Sequence, residues 1–88
     1  MSVKERIAED LKSAMRAQNK LRMSVLRMIL ADIKIADTSG KPKDQIDYGE
    51  VVHGYYKKLK KTSEEYERLK LPEKVKELDN EIAIVEEY

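Results

Sequence analysis

The segment LRMSVLRMIL, Leu21 to Leu30, decides how this chain folds. Seven of its ten residues are apolar, and Arg22 and Arg27 are set between them. The spacing predicts a helix from about Lys20 to Ile35. Its apolar arc is wide, so we expect burial against more than one neighbouring helix. The residues on this face are Leu21, Val25, Met28, Ile29, Asp32 and Ile33, broadened by Leu26 and Leu30.

A first amphipathic helix is predicted before this segment. Ser2 and Glu5 have the S-x-x-E spacing of a capping box, which marks a helix start. Asn19 either ends this helix or caps the next one. We expect about five turns, because apolar side chains recur at helical spacing. The face consists of Val3, Ile7, Leu11, Ala14, Met15 and Gln18.

Two further helices follow the long loop ADTSGKPKD. Asp47 and Glu50 mark the start of a third helix from about Tyr48 to Leu69. Pro72 fits the first turn of a fourth helix. The fourth helix has a 3-4 apolar spacing at Val75, Leu78, Ile82 and Val85. These patterns predict an all-α four-helix bundle, with the first two helices forming an antiparallel hairpin.

The composition restricts the chemistry. The chain has 88 residues, which suits one small domain. It has no cysteine and one histidine, His53, so disulfides are excluded and a zinc site is not expected. We expect no metal and no cofactor. The chain has neither a bilayer-spanning apolar run nor a signal-peptide pattern, so we expect a soluble cytoplasmic protein without membrane contact.

The run YYKKLKK, Tyr55 to Lys61, is the strongest candidate for a binding site. Lysines attract phosphates, and tyrosines can stack on unpaired bases. Alternatively, the tyrosines belong to the core and the lysines are only solvated. Pairs such as Lys60–Glu64 and Lys61–Glu65 would partly neutralise the run. The candidate cations in this run are Lys57, Lys58, Lys60 and Lys61.

The arginines of the second helix do not share a face, since five residues place them about 140° apart. The simplest role for each is to cover the edge of the core with its stem and pair with an acid. Lys20, Arg27 and Lys34 follow one another at seven-residue spacing. Arg27 and Lys34 are therefore further candidates for binding a polyanion or an acidic partner.

Catalytic motifs are not evident in the sequence. It has no glycine-rich phosphate loop and no nucleophile elbow. His53 is either a half-exposed helix residue or a general base, and the second role requires a partner within hydrogen-bond reach. The many carboxylates fit a solvated helix face better than an acid/base pair. We therefore predict no catalytic residue.

The order of these segments resembles the N-terminal helical part of YqeY proteins, of the GatB/YqeY family. The resemblance lies in the opening ERIAEDLKSAMRAQNKLRMSVLRMILADIK, the lysine-rich helix followed by SEEYERL, and the final EKVKELDNEIAIVEEY. In the first two helices the matching residues are Ile7, Asp10, Leu11, Lys12, Met15, Lys20, Leu21, Val25, Leu26, Arg27 and Met28. At the far end they are Glu81, Ile82, Ile84, Glu86 and Tyr88.

The resemblance implies that residues 1–88 are a YqeY-like N-terminal helical domain, here without the family's usual second helical domain. That second domain resembles the tail of the amidotransferase subunit GatB, which helps to hold tRNA. The implied function is a non-catalytic module, accessory to tRNA-dependent amidotransfer or tRNA handling, with tRNA or a tRNA-handling enzyme as partner. Any carbon–nitrogen ligase activity with glutamine as amide donor would belong to GatB. The alternative is a protein-interaction or oligomerisation module, such as a homodimer, without a nucleic-acid role.

Overall fold

The computed structural model describes residues 2–88, and within them it contains four α-helices and no strand. The helices are α1 (Val3–Arg16), α2 (Lys20–Asp37), α3 (Tyr48–Arg68) and α4 (Pro72–Val85). A short 3-10 helix (Lys43–Gln45) interrupts the loop between α2 and α3. The predicted all-α four-helix architecture is confirmed.

The starts of α1, α2 and α3 follow from local capping. The backbone N–H of Glu5 donates to Ser2 Oγ over 3.2 Å, and that of Glu50 donates to Asp47 Oδ1 over 3.2 Å. The backbone N–H of Arg22 donates to Asn19 Oδ1 over 3.1 Å, so Asn19 caps α2. Each bond satisfies an amide that has no partner inside its helix.

Helices α1 and α3 end in the same kind of turn. Gln18 and Lys70 adopt left-handed backbone conformations, with φ of 56° and 58°. The amide of Asn19 then donates to the Ala14 carbonyl over 3.0 Å, and that of Leu71 to the Tyr66 carbonyl over 3.0 Å. These are Schellman motifs without the usual glycine. The first motif stops α1 after 14 residues, so the expectation of five turns was too long.

The helices pair as two hairpins. Lys4, at the start of α1, contacts Asp37, at the end of α2, with Nζ and Oδ2 2.7 Å apart. The other ends of α1 and α2 are joined by a short turn, so the two helices are antiparallel. In the second hairpin, Ser63 Oγ of α3 donates to Asp79 Oδ1 of α4 over 3.2 Å. Helix α2 also packs on α3 and α4, which joins the two hairpins.

The core lies where the two hairpins meet. Its members are Ile7, Val25, Leu26, Ile29, Ile33, Val52, Tyr55, Ile84 and Val85. Three apolar residues that the sequence pattern placed on the buried faces of α1 and α2 are instead exposed: Met15 at 49%, Leu21 at 42% and Met28 at 52%. Gln18, placed on the same face as Met15, is also exposed. Helix α2 has apolar residues on most of its circumference, so periodicity alone could not select the buried face. The structure centres that face on Leu26, Ile29 and Ile33.

The distal part of the α3–α4 hairpin, residues 57–81, contributes little to this core. Within it only Ser63 is buried, and we call these residues the helical arm. The molecule measures 43 × 30 × 17 Å. Its radius of gyration is 14.1 Å, compared with about 12 Å for a compact domain of this length. The arm therefore presents most of its side chains, including the lysine run, to solvent.

Glycine at the left-handed positions should stabilise the fold. A left-handed conformation costs a non-glycine residue about 1–2 kcal/mol, part of which is offset because glycine gains entropy in the unfolded chain. We expect Gln18→Gly and Lys70→Gly each to raise the free energy of unfolding by about 0.5–1 kcal/mol. Urea denaturation followed by circular dichroism measures this change.

The matched control is Ala17→Gly. Ala17 precedes Gln18 and has a right-handed conformation, with φ of −81° and ψ of −6°. Glycine has no conformational advantage there, so this variant should be less stable than the wild type. If Gln18→Gly and Ala17→Gly changed stability equally, the left-handed strain would not be the cause.

Candidate polyanion-binding and partner-binding surfaces

The four lysines of the YYKKLKK run are all exposed on α3. At 100° per residue they cover an arc of about 160° opposite Val52, Tyr55 and Ser63, which are buried. We call Lys57, Lys58, Lys60 and Lys61 the lysine quartet. It forms a convex, solvated surface rather than a pocket.

No member of the lysine quartet is in an ion pair. Among residues 2–88 the ion pairs are Lys4–Asp37, Lys12–Glu9 and Arg22–Glu87. The expected pairs Lys60–Glu64 and Lys61–Glu65 are not formed. An exposed helix pair of this type is worth only about 0.3–0.5 kcal/mol, which barely offsets the entropy of fixing two long side chains. The quartet is therefore not neutralised by ion pairs, although Glu64, Glu65 and Glu67 lie beside Lys61.

The two tyrosines beside the quartet are less accessible than the lysines, so they are poorly placed to stack on bases. Tyr55 is only 8% exposed and belongs to the core, and its burial raises the pKa of its phenol. Tyr56 is half-buried, and its ring stacks on His53 with the centroids 6.0 Å apart. Tyr55 is thus a core residue, as the second interpretation of the run proposed.

Arg27 and Lys34 are exposed on α2, but they do not form one continuous surface with the quartet. Asp32 and Ile35 line the groove between α2 and α3, together with Lys58. Lys34 lies about 100° around α2 from Ile35, on the side away from Asp32, and Arg27 is on the same row. The six candidate cations therefore form two separate groups.

Arg22 binds the last turn of the chain. Its two terminal nitrogens donate to the two carboxylate oxygens of Glu87 over 3.0 and 2.7 Å. These hydrogen bonds hold the pKa of the Glu87 carboxyl below its usual value. The pairing of this arginine with an acid is confirmed. Its geometry is the bidentate one that guanidinium and carboxylate groups favour.

Tyr88 extends this contact to α1. Its hydroxyl donates to Asp10 Oδ2, and the guanidinium of Arg6 lies over its ring, 4.7 Å from the centroid. Arg6 also donates to the Glu87 carbonyl over 2.8 Å. Burial, followed by the bond to Asp10, raises the pKa of the Tyr88 phenol. These contacts attach the end of α4 to the α1–α2 hairpin.

A similar cluster attaches the start of α3. The Tyr48 hydroxyl donates to Asp37 Oδ1 over 2.5 Å, and Lys4 Nζ contacts Oδ2 of the same carboxylate over 2.7 Å. The bonds from Lys4 and Tyr48 lower the pKa of the Asp37 carboxyl. Both clusters use all their charged groups in holding helices together, so neither has a free acid or base.

His53, the other candidate for chemistry, is exposed on α3. Its ring stacks on Tyr56, and its nitrogens make no hydrogen bond to the residues that the structure describes. The same residues contain no group of three or more histidine, aspartate or glutamate side chains arranged to hold a metal ion. None of the four helices combines the length and the apolar character needed to cross a membrane, over the residues described.

Comparison with known proteins gives one match. The model of the family described as "Yqey-like protein" matches residues 4–88. No curated protein sequence and no solved structure matches the chain. The match covers all four helices, and it includes Arg22, Glu87 and both tyrosine clusters.

The Arg22–Glu87 pair should contribute to stability only while Glu87 is ionised. The pKa of the Glu87 carboxyl is lower in the folded protein than its ordinary value of 4.5. The stabilisation is therefore present above pH 4.5 and is lost as the pH falls through the folded pKa. Both side chains are partly in water, so we expect Glu87→Gln to reduce the free energy of unfolding by about 0.5–1 kcal/mol at pH 7. Urea denaturation at several pH values measures the difference between the two proteins.

The pH dependence separates this pair from other titrating groups. Burial raises the pKa of the Glu81 carboxyl, so this group favours the folded state as the pH falls. Its effect is the same in the wild type and in Glu87→Gln and cancels in their difference. The wild type and Glu87→Gln should therefore converge as the pH falls through the folded pKa of Glu87, which lies below 4.5. A constant difference down to pH 2.5 would show that the ionised pair is not its source.

Proposed function

Because the chain belongs to the family of YqeY-like proteins, we propose that it is a non-catalytic helical module that binds RNA through the lysine quartet of α3. The module would act as an accessory in tRNA-dependent amidotransfer or in another step of tRNA handling. Its RNA contacts would be made to phosphates, because the quartet is an exposed row of cations without an aromatic ring for base stacking.

The observation that supports this proposal most is the absence of any ion pair at the quartet among the described residues. Four cations within five residues of one helix repel each other, and an RNA backbone would relieve that repulsion. Phosphate binding also releases condensed counterions, which drives the association. The net charge of the whole chain is only +1, so the attraction must be local to α3.

The proposal assigns no catalytic role to any residue. Among the described residues His53 makes no hydrogen bond to an acid, although Glu86 lines the same pocket. The carboxylates of Asp37 and Glu87 are engaged in structural pairs. Hydrolysis of glutamine by the purified chain above a buffer blank would contradict this part of the proposal.

A second candidate function is a protein-interaction module. The 3-4 apolar spacing of α4 does not support it, because Ile82 and Val85 are buried inside the domain and cannot contact a partner. The remaining support is on α2, where Leu21, Met28 and Ile35 are exposed.

Removing the charge of the quartet should abolish RNA binding. The variant replaces Lys57, Lys58, Lys60 and Lys61 with glutamine, which preserves helix propensity. We expect at least a tenfold loss of affinity for total tRNA at low salt. The slope of log K against log salt should fall by roughly 3 if all four lysines contact phosphates. Fluorescence anisotropy with labelled tRNA measures both quantities.

The control variant loses the same four charges elsewhere. Lys41, Lys43, Lys70 and Lys76 are exposed and lie outside the quartet. Their replacement by glutamine should change the salt slope much less. Equal losses in the two variants would indicate attraction to net charge alone, and unchanged binding in the quartet variant would place the RNA site elsewhere.

A further inference from the structure

Helix α2 has a line of apolar side chains on its solvent face. Leu21, Met28 and Ile35 are 42%, 52% and 68% exposed, and they follow one another at seven-residue spacing. Ser24 and Ala31, which are small and exposed, lie between them and complete a 3-4 repeat. We call these five residues the α2 stripe. From Leu21 to Ile35 it is about 21 Å long, which matches four turns of a partner helix.

Such a line differs from the scattered apolar residues of ordinary surfaces. Single exposed leucines are common and require no explanation, but aligned ones form a seam into which another helix can pack. The centre of the buried face, formed by Leu26, Ile29 and Ile33, lies about 80–160° around α2 from the stripe. The stripe borders the core only at Val25, which is fully buried.

One margin of the stripe is positively charged. Lys20, Arg27 and Lys34 each precede a large residue of the stripe by one position, and all three are exposed. None of them is in an ion pair within the described part of the chain. In the heptad repeat these are flanking positions, which select a partner helix by its charge. An acidic partner would complement this margin.

The other margin is the groove between α2 and α3. Ile35 lines it beside Val51, Gly54 and Lys58, and the acids Asp32 and Glu50 lie at its sides. Lys58 thus adds a cation on this side of the stripe. Four cations against two acids leave the surroundings of the stripe positive.

Gly54 is the feature of this groove that the fold does not explain. It lies inside α3, where glycine costs about 1 kcal/mol relative to alanine. A Cβ at this position would meet no atom within 4 Å, so packing inside the domain does not require glycine. Without a side chain there, the backbone of an added helix can approach α3 closely.

We propose that the α2 stripe is a docking site for an acidic amphipathic helix of a partner protein. The apolar side of that helix would cover Leu21, Met28 and Ile35, and its carboxylates would face Lys20, Arg27 and Lys34. RNA fits this surface less well, because the stripe has no aromatic ring for base stacking. A second copy packed antiparallel on the stripe would bring the row of cations against itself, which is repulsive.

Binding of two designed peptides tests the proposal. One is a capped, fluorescein-labelled helical peptide of three heptads with leucine at the a and d positions and glutamate at the flanking positions. The other has lysine in place of each glutamate. We expect the glutamate peptide to bind the full chain in an anisotropy titration, and the lysine peptide to bind at least tenfold more weakly. Failure of the glutamate peptide to bind at all would overturn the proposal.

Substitutions on the exposed stripe locate the binding site without disturbing the core. Met28→Gln combined with Ile35→Gln should weaken binding of the glutamate peptide at least tenfold. The matched control is Leu69→Gln with Leu71→Gln at the tip of the arm, where the side chains are 66% and 37% exposed. This control should bind like the wild type, and equal affinities in the two variants would contradict the assignment.

Gly54→Leu is a second variant, and its melting temperature shows whether it is folded. Its Cβ would meet no neighbouring atom within 4 Å and leucine favours helix, so the melting temperature should rise. The same side chain would fill the groove, so peptide affinity should fall at least tenfold. A more stable variant with unchanged affinity would exclude the groove from the site.

Two further measurements distinguish the other occupants. If sedimentation equilibrium shows a dimer that Met28→Gln with Ile35→Gln dissociates, the stripe belongs to a second copy and the proposal is wrong. If the same variant loses tRNA binding, the stripe belongs to RNA and the proposal is also wrong. The expected result is a monomer whose tRNA affinity depends on the lysine quartet and not on the stripe.

Discussion

Burial of one face of α2 is the constraint on which the rest of the structure depends. Val25, Leu26 and Ile29 are completely buried, and Ile33 is 1% exposed. Helices α1, α3 and α4 all pack on α2, so the two hairpins are joined mainly through this helix. Because only one face can be buried, Leu21, Met28 and Ile35 are left in solvent. The exposed stripe is therefore a direct consequence of how the core is built.

Polar contacts around this core fix the ends of the second hairpin. Tyr48 binds Asp37 at the start of α3, and Tyr88 binds Asp10 at the end of α4, each with a cation over its ring. The short apolar core of an 88-residue domain benefits from such contacts. They hold only the proximal ends of α3 and α4, so they do not fix the arm that carries the lysine quartet.

Local signals explain which features the sequence could predict. Ser2 and Asp47 cap helices through neighbouring residues, so the helix starts were predictable. The left-handed conformations of Gln18 and Lys70 were not, because no glycine marks them. The end of α3 was nevertheless predicted to within one residue. The acid that pairs with Arg22 is 65 residues away, and sequence spacing carries no signal for such a contact. The lysine quartet could be recognised as a run in the sequence. The α2 stripe could not, because its exposure to solvent is known only once the buried face of α2 is known.

Glycine lowers the stability of a helix, and the two glycines of α3 differ in whether the fold explains their presence. At Gly49 an added Cβ would lie 3.1 Å from Asp47 Oδ1, the oxygen that caps the helix, so the fold itself favours glycine. At Gly54 no atom is near, and alanine would stabilise the helix. A residue that lowers stability without serving the fold is expected where a surface is shaped for another molecule. Gly54 lies beside Ile35 at the groove of α2 and α3, and it is there that the domain has both exposed apolar surface and unpaired positive charge.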